Sequence, residues 1–324
     1  MILRQAPSTS ESPSSMSKSL PGGIVASSVT PFSADGSICF SQIGPHIEWL
    51  LAEGVNGLSP LGSSGEFTAL EVSDRKRVLE EVLRVNDGRV PVWAGTHHYS
   101  TRTTIELSRH AEAAGADALL IVPPYYMSPT LEQAMDHYRR VREAVSIPIV
   151  LYHNISFTNV DFQTDDLVQL AKEGVIDGVK MSNAEPDRIC QLLQKAPVGL
   201  RVYCGIDSVA FEGLCHGAHG WISGIPSIVP RAAQQLYQAI ARSDLPKARV
   251  LWQPLADLMR FQFSAYLNRG PGAHWFSAMK AALNLIGPPV GDPLAPLAPL
   301  EPMHHRQLIE ILTRLGYQPR AEAA

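Results

Sequence analysis

The sequence predicts an α/β fold, a (β/α)8 barrel of the TIM type followed by a C-terminal helical extension. From Gly22 onward, eight short β-branched or apolar runs alternate with amphipathic stretches. Eight such units occupy roughly 220 residues, which is the size of one barrel. The first run is not followed by the G-x-G-x-x-G turn of a dinucleotide-binding open sheet, so a closed barrel is favoured.

The predicted strands are short and are separated by helical stretches. The fourth is apolar along nearly its whole length, as expected of a parallel strand that is covered on both faces. Several helical stretches end in glycine before the next strand, at Gly54, Gly115 and Gly174, where a left-handed residue would close the helix. The eight strands are expected at residues 23–31, 55–60, 90–96, 117–124, 147–153, 175–181, 200–205 and 220–225.

The two ends of the chain differ from the repeating part. Residues 1–21 are rich in Ser and Pro and lack the apolar core of a secretory signal, so they are expected to form a disordered tail. We expect the barrel at residues 22–230. Residues 231–324 would hold the last barrel helix and the extension, in which a Pro-rich connector at 287–302 joins the last two helices.

Composition excludes several classes of protein. The net charge is -4, and Lys and Arg are scattered singly, which argues against a nucleic-acid partner. No apolar run approaches the ~20 residues that cross a bilayer, so no membrane span is predicted. The four cysteines form no C-x-x-C pair, which indicates a reducing compartment, and we expect the cytoplasm.

Candidate catalytic residues lie where the strands end, because the active site of such a barrel is at that face. After the second strand comes the small-residue loop 62–66, whose backbone amides could bind an anion. Tyr152 lies at the end of the fifth strand and Lys180 at the end of the sixth. Strand alternation places Lys180 on the same face as Gly178, which leaves room for an inward lysine. A lysine that loses water there becomes a neutral amine that attacks a ketone.

The spacing of these residues resembles the dihydrodipicolinate synthase/N-acetylneuraminate lyase family. The similarity extends from about Gly22 to Gly316. The motifs that carry it are Gly62-Ser63-Ser64-Gly65-Glu66, Tyr125-Tyr126, Tyr152 and Gly178-Val179-Lys180, in that order.

The resemblance implies a role for each matching residue. Lys180 would form an imine with a 2-oxo acid substrate, without a cofactor or metal. The Ser63 and Ser64 amides, with the Ser63 hydroxyl, would hold the substrate carboxylate. Tyr152 would shuttle protons, linked through the Ser64 hydroxyl to Tyr126 of a neighbouring subunit. A homotetramer built as a dimer of dimers is therefore expected.

Other positions depart from the family pattern and bear on the substrate. Members that condense pyruvate with aspartate semialdehyde have Arg where this chain has Phe157 and Pro where it has Ile155, so this reaction is not expected here. In sialic acid lyases, positions resembling Gly205 and Asp207 hold a polyol. His97 is interpreted equally as a substrate contact or as a packed imidazole. The candidate substrate-binding residues are Gly62, Ser63, Ser64, His98, Asp207, Ile222 and Ser223.

The sequence therefore predicts a lyase that cleaves or dehydrates a hydroxylated 2-oxo acid, of the 2-keto-3-deoxy sugar acid or 4-hydroxy-2-oxo acid type, in preference to an aromatic substrate. A deaminating reaction stays open. One alternative is a metal-dependent barrel aldolase or hydrolase, with ligands from His97, His98, His153 and Asp207. Another is a non-catalytic sensor of 2-oxo acids.

Overall fold

A computed structural model of the protein describes residues 20–267 and 272–320. Its sheet has the strand order β2-β1-β8-β7-β6-β5-β4-β3, and all pairs are parallel. A parallel bridge between Leu58 and Val92 joins its two edges and closes the barrel. The predicted fold is confirmed, and each strand lies within its predicted range. The strands are β1 Gly23–Ala26, β2 Gly57–Leu58, β3 Trp93–Gly95, β4 Ala118–Ile121, β5 Ile149–His153, β6 Gly178–Met181, β7 Arg201–Cys204 and β8 Gly220–Trp221.

Helices follow the strands and cover the outside of the barrel. The expected glycines after the first, third and sixth helices, Gly54, Gly115 and Gly174, have φ angles of 85°, 96° and 71°, the left-handed conformation that glycine adopts without strain. The helices are α1 Phe40–Ala52, α2 Val72–Asn86, α3 Thr101–Ala114, α4 Leu131–Arg142, α5 Ile155–Thr158, α6 Thr164–Lys172, α7 Pro186–Lys195, α8 Ala210–Cys215, α9 Ile225–Ile228, α10 Pro230–Ala241, α11 Leu245–Gln262, α12 Ser264–Leu267, α13 Trp275–Ile286 and α14 Pro302–Arg314.

Strand pleating divides the core into two parts. Side chains that alternate outward pack against the helices in one large cluster. Those that point inward fill the barrel, so its interior is packed and the chemistry is confined to the mouth. The interior cluster contains Val25, Trp93, Ala118, Leu120, Val150, Tyr152, Tyr203 and Ile222.

The N-terminal end of the barrel is closed by the residues just before β1. Leu20 is buried in the interior cluster, and its Cδ1 would lie 2.9 Å from a Cβ atom on Gly178. The Tyr203 hydroxyl donates to the Pro21 carbonyl at 2.7 Å. The space that Gly178 leaves is thus filled by Leu20. The expected tail at 1–21 is corrected at this end: Leu20 and Pro21 belong to the barrel, whereas 1–19 lie outside the described residues.

The C-terminal helices pack on one side of the barrel, with α11 against α10, α13 and α14. The connector between α13 and α14 is fixed by Asn284, which donates to the Gly291 carbonyl at 3.0 Å and accepts from the Val290 amide at 2.7 Å. It then passes the barrel mouth, where the Leu294 amide donates to Glu66. Within 20–267 and 272–320, no helix is long and apolar enough to cross a membrane.

Candidate active site

Lys180 and Tyr152 face each other inside the barrel mouth. They are directly paired in the register of β5 and β6, so the pleat turns both side chains inward. Lys180 is 4% exposed and Tyr152 is 5% exposed. The Lys180 Nζ lies 3.7 Å from the centroid of the Tyr152 ring. The structure thus brings together the predicted amine and the predicted proton carrier.

The Tyr152 hydroxyl is surrounded by groups that stabilise its anion. Burial alone would raise the pKa of Tyr152. The positive charge of Lys180 and hydrogen bonds from Ser63, Asn154 and Lys180 outweigh it, and the pKa of Tyr152 is lowered. The Asn154 Nδ2 donates to the hydroxyl at 3.0 Å. A tyrosine with a lowered pKa is ionised to a larger extent at neutral pH, so more of it is available to act as a base.

The hydroxyl beside Tyr152 belongs to Ser63. The expectation that Ser64 provides this link is therefore corrected, and Ser64 is instead buried within its turn. The turn Ser63–Gly65 is a short 3-10 helix preceded by Gly62 and followed by Glu66 in the left-handed conformation. Leu61, before it, also has a positive φ of 62°.

Two glycines allow the close packing on which the site depends. A Cβ atom at Gly95 would collide with the carbonyl oxygen of Leu61, so the loop after β2 can approach β3 only because Gly95 has no side chain. At Gly205 a Cβ atom would lie 2.7 Å from Cγ of Lys180. Gly205 therefore leaves the space in which the lysine stem lies.

A buried ion pair anchors the Ser63–Gly65 turn to the C-terminal extension. Lys280 on α13 is completely buried, and its Nζ lies 2.9 Å from the Glu66 carboxylate. It also donates to the Thr30 and Asp292 carbonyls at 3.0 and 3.1 Å. Sequence reasoning missed Lys280, although its place as the one charged residue in the largely apolar stretch Trp275–Ile286 was a visible signal.

The two histidines after β3 have different environments. His97 is fully buried, its ring centroid is 6.1 Å from that of Tyr152, and its Nδ1 accepts from the Val122 amide at 3.0 Å. Burial, with the nearby charges of Arg75 and Lys180, holds the pKa of His97 well below its usual value. His97 is thus a packed, neutral imidazole beside Tyr152. His98, the one expected to bind substrate, instead accepts from the Ser100 amide through Nδ1.

Asp207 and Ser223 hold the end of β8. The Asp207 carboxylate accepts from the Trp221 indole at 3.0 Å and the Ile225 amide at 3.4 Å, and it also hydrogen bonds to the Ser223 hydroxyl. Burial raises the pKa of Asp207 to about 6, against the effect of these hydrogen bonds and of Lys180. Ile222 belongs to the barrel interior with Tyr152.

The two adjacent tyrosines after β4 differ in exposure. The Tyr125 ring packs 6.0 Å from Phe67 and 6.4 Å from Tyr99, whereas the Tyr126 side chain is 81% exposed. Tyr126 is therefore available to a second molecule.

A cavity of about 380 Å³ adjoins the Lys180–Tyr152 pair. Ser63 and Asn154, which both hydrogen bond to the Tyr152 hydroxyl, are among its lining residues. Of the expected substrate contacts only Ser63 lines it; His98, Asp207 and Ser223 do not. The lining residues are Ser63, Glu66, Phe67, Thr68, Ala69, Val122, Tyr125, Asn154, Phe157, Thr158, His274, Trp275, Phe276, Leu294, Ala295, Pro296 and Leu297.

The histidines proposed as metal ligands do not come together. His153, fully buried, lies 3.3 Å from Asp161, on the outer face of the barrel wall where Phe162 packs. No group of three or more His, Cys, Asp or Glu suited to a metal occurs in the part of the chain that the structure describes.

Comparisons with known proteins agree with this architecture. The dihydrodipicolinate synthetase family matches residues 20–315. A 4-hydroxy-tetrahydrodipicolinate synthase from Anaeromyxobacter dehalogenans (strain 2CP-C) is 36% identical over 92% of this chain and 98% of its own length. A protein of the same name from Azoarcus sp. (strain BH72) is 33% identical over 91% and 99%.

Two solved structures show the same fold. A putative dihydrodipicolinate synthetase from Pseudomonas aeruginosa has a TM-score of 0.85 and 32% identity, covering 91% of this chain and 99% of that one. A prophage protein of the dihydrodipicolinic acid synthase family from E. coli K12, solved with pyruvate, has a TM-score of 0.84 and 29% identity, covering 91% and 98%. The chain therefore belongs to the dihydrodipicolinate synthetase family and is a lyase of the class I aldolase type.

Proposed function

We propose that Lys180 forms a Schiff base with a 2-oxo acid and that the enzyme acts on 4-hydroxy-2-oxo acids. The observation that carries the proposal is the buried contact between Lys180 and Tyr152 at the ends of adjacent strands. A buried amine and a buried phenol, of which the phenol has a lowered pKa, are the two groups that imine chemistry requires.

Aldol cleavage uses both side chains. The Lys180 amine attacks the C2 carbonyl, water leaves, and a protonated imine forms. Tyr152 takes the proton of the C4 hydroxyl, the bond between C3 and C4 breaks, and its electron pair enters the imine to give an enamine. An aldehyde leaves, C3 takes up a proton, and water releases pyruvate. Dehydration would begin from the same imine, with loss of a proton from C3 and of the C4 hydroxyl as water.

The carboxylate of the substrate would bind at the Ser63–Gly65 turn. Ser63 already hydrogen bonds to Tyr152, and a carboxylate accepted by the amides of Ser63 and Ser64 would place C2 near Lys180. Gly62, in the extended conformation, sets the entry into this turn. Backbone amides in such a turn are suitable donors to an anion.

The names of the relatives favour a second candidate, synthesis of 4-hydroxy-tetrahydrodipicolinate. Phe157, which is 59% exposed and lines the cavity, stands against it because it offers no donor to a second carboxylate. Supplying pyruvate with aspartate semialdehyde tests this candidate directly.

A second copy of the chain would complete the site. The exposed Tyr126 of one chain would reach Ser63 of the other, so that each dimer would hold two such sites. A tetramer built as a pair of dimers would then hold two pairs of sites.

Release of pyruvate from 4-hydroxy-2-oxo acids tests the proposal. We expect turnover by the parent enzyme, none by Lys180→Ala, and a loss of about 10²–10⁴-fold in Tyr152→Phe, the range for removal of a general acid–base group. Tyr203→Phe is the matched control, because its hydroxyl binds Pro21 at the opposite end of the barrel. Equal turnover by Lys180→Ala and the parent would reject the proposal.

The alternatives give different results in the same assay. A metal-dependent enzyme would lose activity with a chelator and would retain it in Lys180→Ala. A sensor would bind pyruvate and turn over none of the 2-oxo acids.

A further inference from the structure

The cavity described above shares Ser63 and Asn154 with the hydrogen bonds of the Tyr152 hydroxyl. Its lining also includes Trp275 and the connector residues 294–297. A substituent on C4 would leave the Lys180–Tyr152 pair in this direction. Its chemistry therefore has to match the walls of the cavity.

Those walls are mainly aromatic and aliphatic. Phe157 exposes 59% of its surface beside the cavity. Trp275 and Phe276, whose ring centroids are 5.3 Å apart, also line the cavity. Large exposed aromatic surfaces at a cavity mark a binding site for an apolar group. The apolar lining is completed by Phe67, Tyr125, Val122, Leu294 and Leu297.

Several of the polar lining groups are engaged with the protein itself. The Glu66 carboxylate binds Lys280 and the Leu294 amide. His274 accepts from the Phe276 amide, and burial lowers the pKa of this histidine. The Thr158 hydroxyl donates to the Asn154 carbonyl.

No Lys or Arg occurs among the lining residues that the structure describes. A carboxylate at this place would lose water without gaining a cationic partner, and a polyol would meet polar groups of which several are already engaged. This differs from the sequence-based preference for a sugar acid over an aromatic substrate.

We propose that the C4 substituent of the substrate is a neutral aryl group. The inference rests on the proposed Schiff-base function. Cleavage of the C3–C4 bond then yields pyruvate and an aromatic aldehyde: Tyr152 takes the C4 hydroxyl proton, the bonding pair passes to the imine on Lys180, and C3 is protonated before hydrolysis. No oxidant or reductant takes part.

Three substrates that differ only beyond C4 test this. They are 4-hydroxy-2-oxo-4-phenylbutanoate, a trihydroxylated 2-oxohexanoate and 4-hydroxy-2-oxohexanedioate. The release of pyruvate measures the turnover of each compound. We expect kcat/KM for the phenyl compound to exceed both others by at least ~10-fold, the size of effect that one well-matched apolar contact gives. A higher value for the trihydroxylated or dicarboxylate compound would overturn the inference.

Phe157→Arg supplies the missing cation. We expect this variant to lose the phenyl preference and to gain on the dicarboxylate by ~10-fold or more. Val198→Arg is the matched control, because Val198 is fully exposed in the loop before β7, at the opposite end of the barrel. An unchanged order of substrates in Phe157→Arg would contradict the inference.

Borohydride trapping of pyruvate on the parent enzyme tests the Schiff base on Lys180 separately from the aryl substituent on C4. Trapping without a phenyl preference overturns the aryl substituent alone. No trapping overturns the Schiff base and, with it, this inference.

Discussion

At the scale of single residues, the pairing of Lys180 with Tyr152 depends on neighbours as much as on the two side chains. Gly205 provides the space for the lysine stem, and Ser63 and Asn154 supply hydrogen bonds to the phenol. Asn154 follows β5 directly, where its backbone begins α5. Its side chain is therefore placed by the same strand end that places Tyr152.

The hydrogen bond from Asn154 leads to a prediction about pH. It is one of the groups that lower the pKa of Tyr152. Its removal in Asn154→Ala raises that pKa, so the phenolate forms only at higher pH. We expect the rising limb of kcat/KM against pH to move to higher pH in this variant.

A pH profile of pyruvate release measures this shift. Gln238→Ala, an exposed amide on α10, is the control and should leave the limb in place. A limb at the same pH in Asn154→Ala and the parent would show that this hydrogen bond does not tune the phenol.

At the scale of elements, α13 is joined to the Ser63–Gly65 turn by the ion pair of Lys280 and Glu66. Both side chains are almost completely removed from water. Removing one partner leaves the other charge buried and uncompensated. We therefore expect Lys280→Met to lower the free energy of unfolding by about 3–5 kcal/mol.

Urea unfolding measures this loss, and a double variant supplies the control. Glu66→Gln with Lys280→Met removes both charges, so it should be more stable than Lys280→Met alone. Glutamine is chosen because it has nearly the same shape as glutamate, so the substitution removes the charge and adds little strain to the left-handed backbone at position 66. A single variant as stable as the parent would mean that the pair does not anchor the turn.

The elements themselves were largely predictable from the sequence, since the strands follow from apolar runs and the helix ends from glycine. Predicted strands were longer than observed ones, as at residues 23–31 against Gly23–Ala26, because the β-branched residues Val29 and Thr30 continue the strand-like pattern after ladder pairing ends. The walls of the cavity were not predictable. Glu66 and Leu294 are 228 positions apart, and only the folded chain brings them together.

The site was predicted where it depends on strand register and missed where it depends on contacts between loops. Lys180 and Tyr152 follow from pleating. The sequence pointed to Ser64 beside the phenol, whereas Ser63 lies there. Which of the two adjacent serines faces Tyr152 depends on how the 3-10 turn orients them. The engagement of Asp207 by Trp221 likewise arises from tertiary packing.

At the scale of the whole molecule, barrel closure brings eight strand ends to one mouth, and Tyr126 extends from that mouth with 81% of its surface exposed. If Tyr126 acts in a neighbouring subunit, two different inactive variants complement each other. We expect a mixture of Lys180→Ala and Tyr126→Phe chains, after subunit exchange, to regain up to about a quarter of the parental activity, because half the dimers are mixed and each has one intact site.

Pyruvate release after mixing measures the recovery, and each variant incubated with itself is the control. Mixing Lys180→Ala with Tyr152→Phe should restore nothing, because both residues belong to the same site. An absence of recovery with Tyr126→Phe, under conditions in which subunits demonstrably exchange, would place Tyr126 outside the reaction.

The central claim, an imine on Lys180, is tested most directly by intact-protein mass spectrometry after incubation with pyruvate and borohydride. The structure leads us to expect one reduced pyruvate adduct per chain in the parent and none in Lys180→Ala. The Tyr203→Phe control should form the adduct like the parent. An unmodified parent chain, or an adduct that persists in Lys180→Ala, would contradict the account.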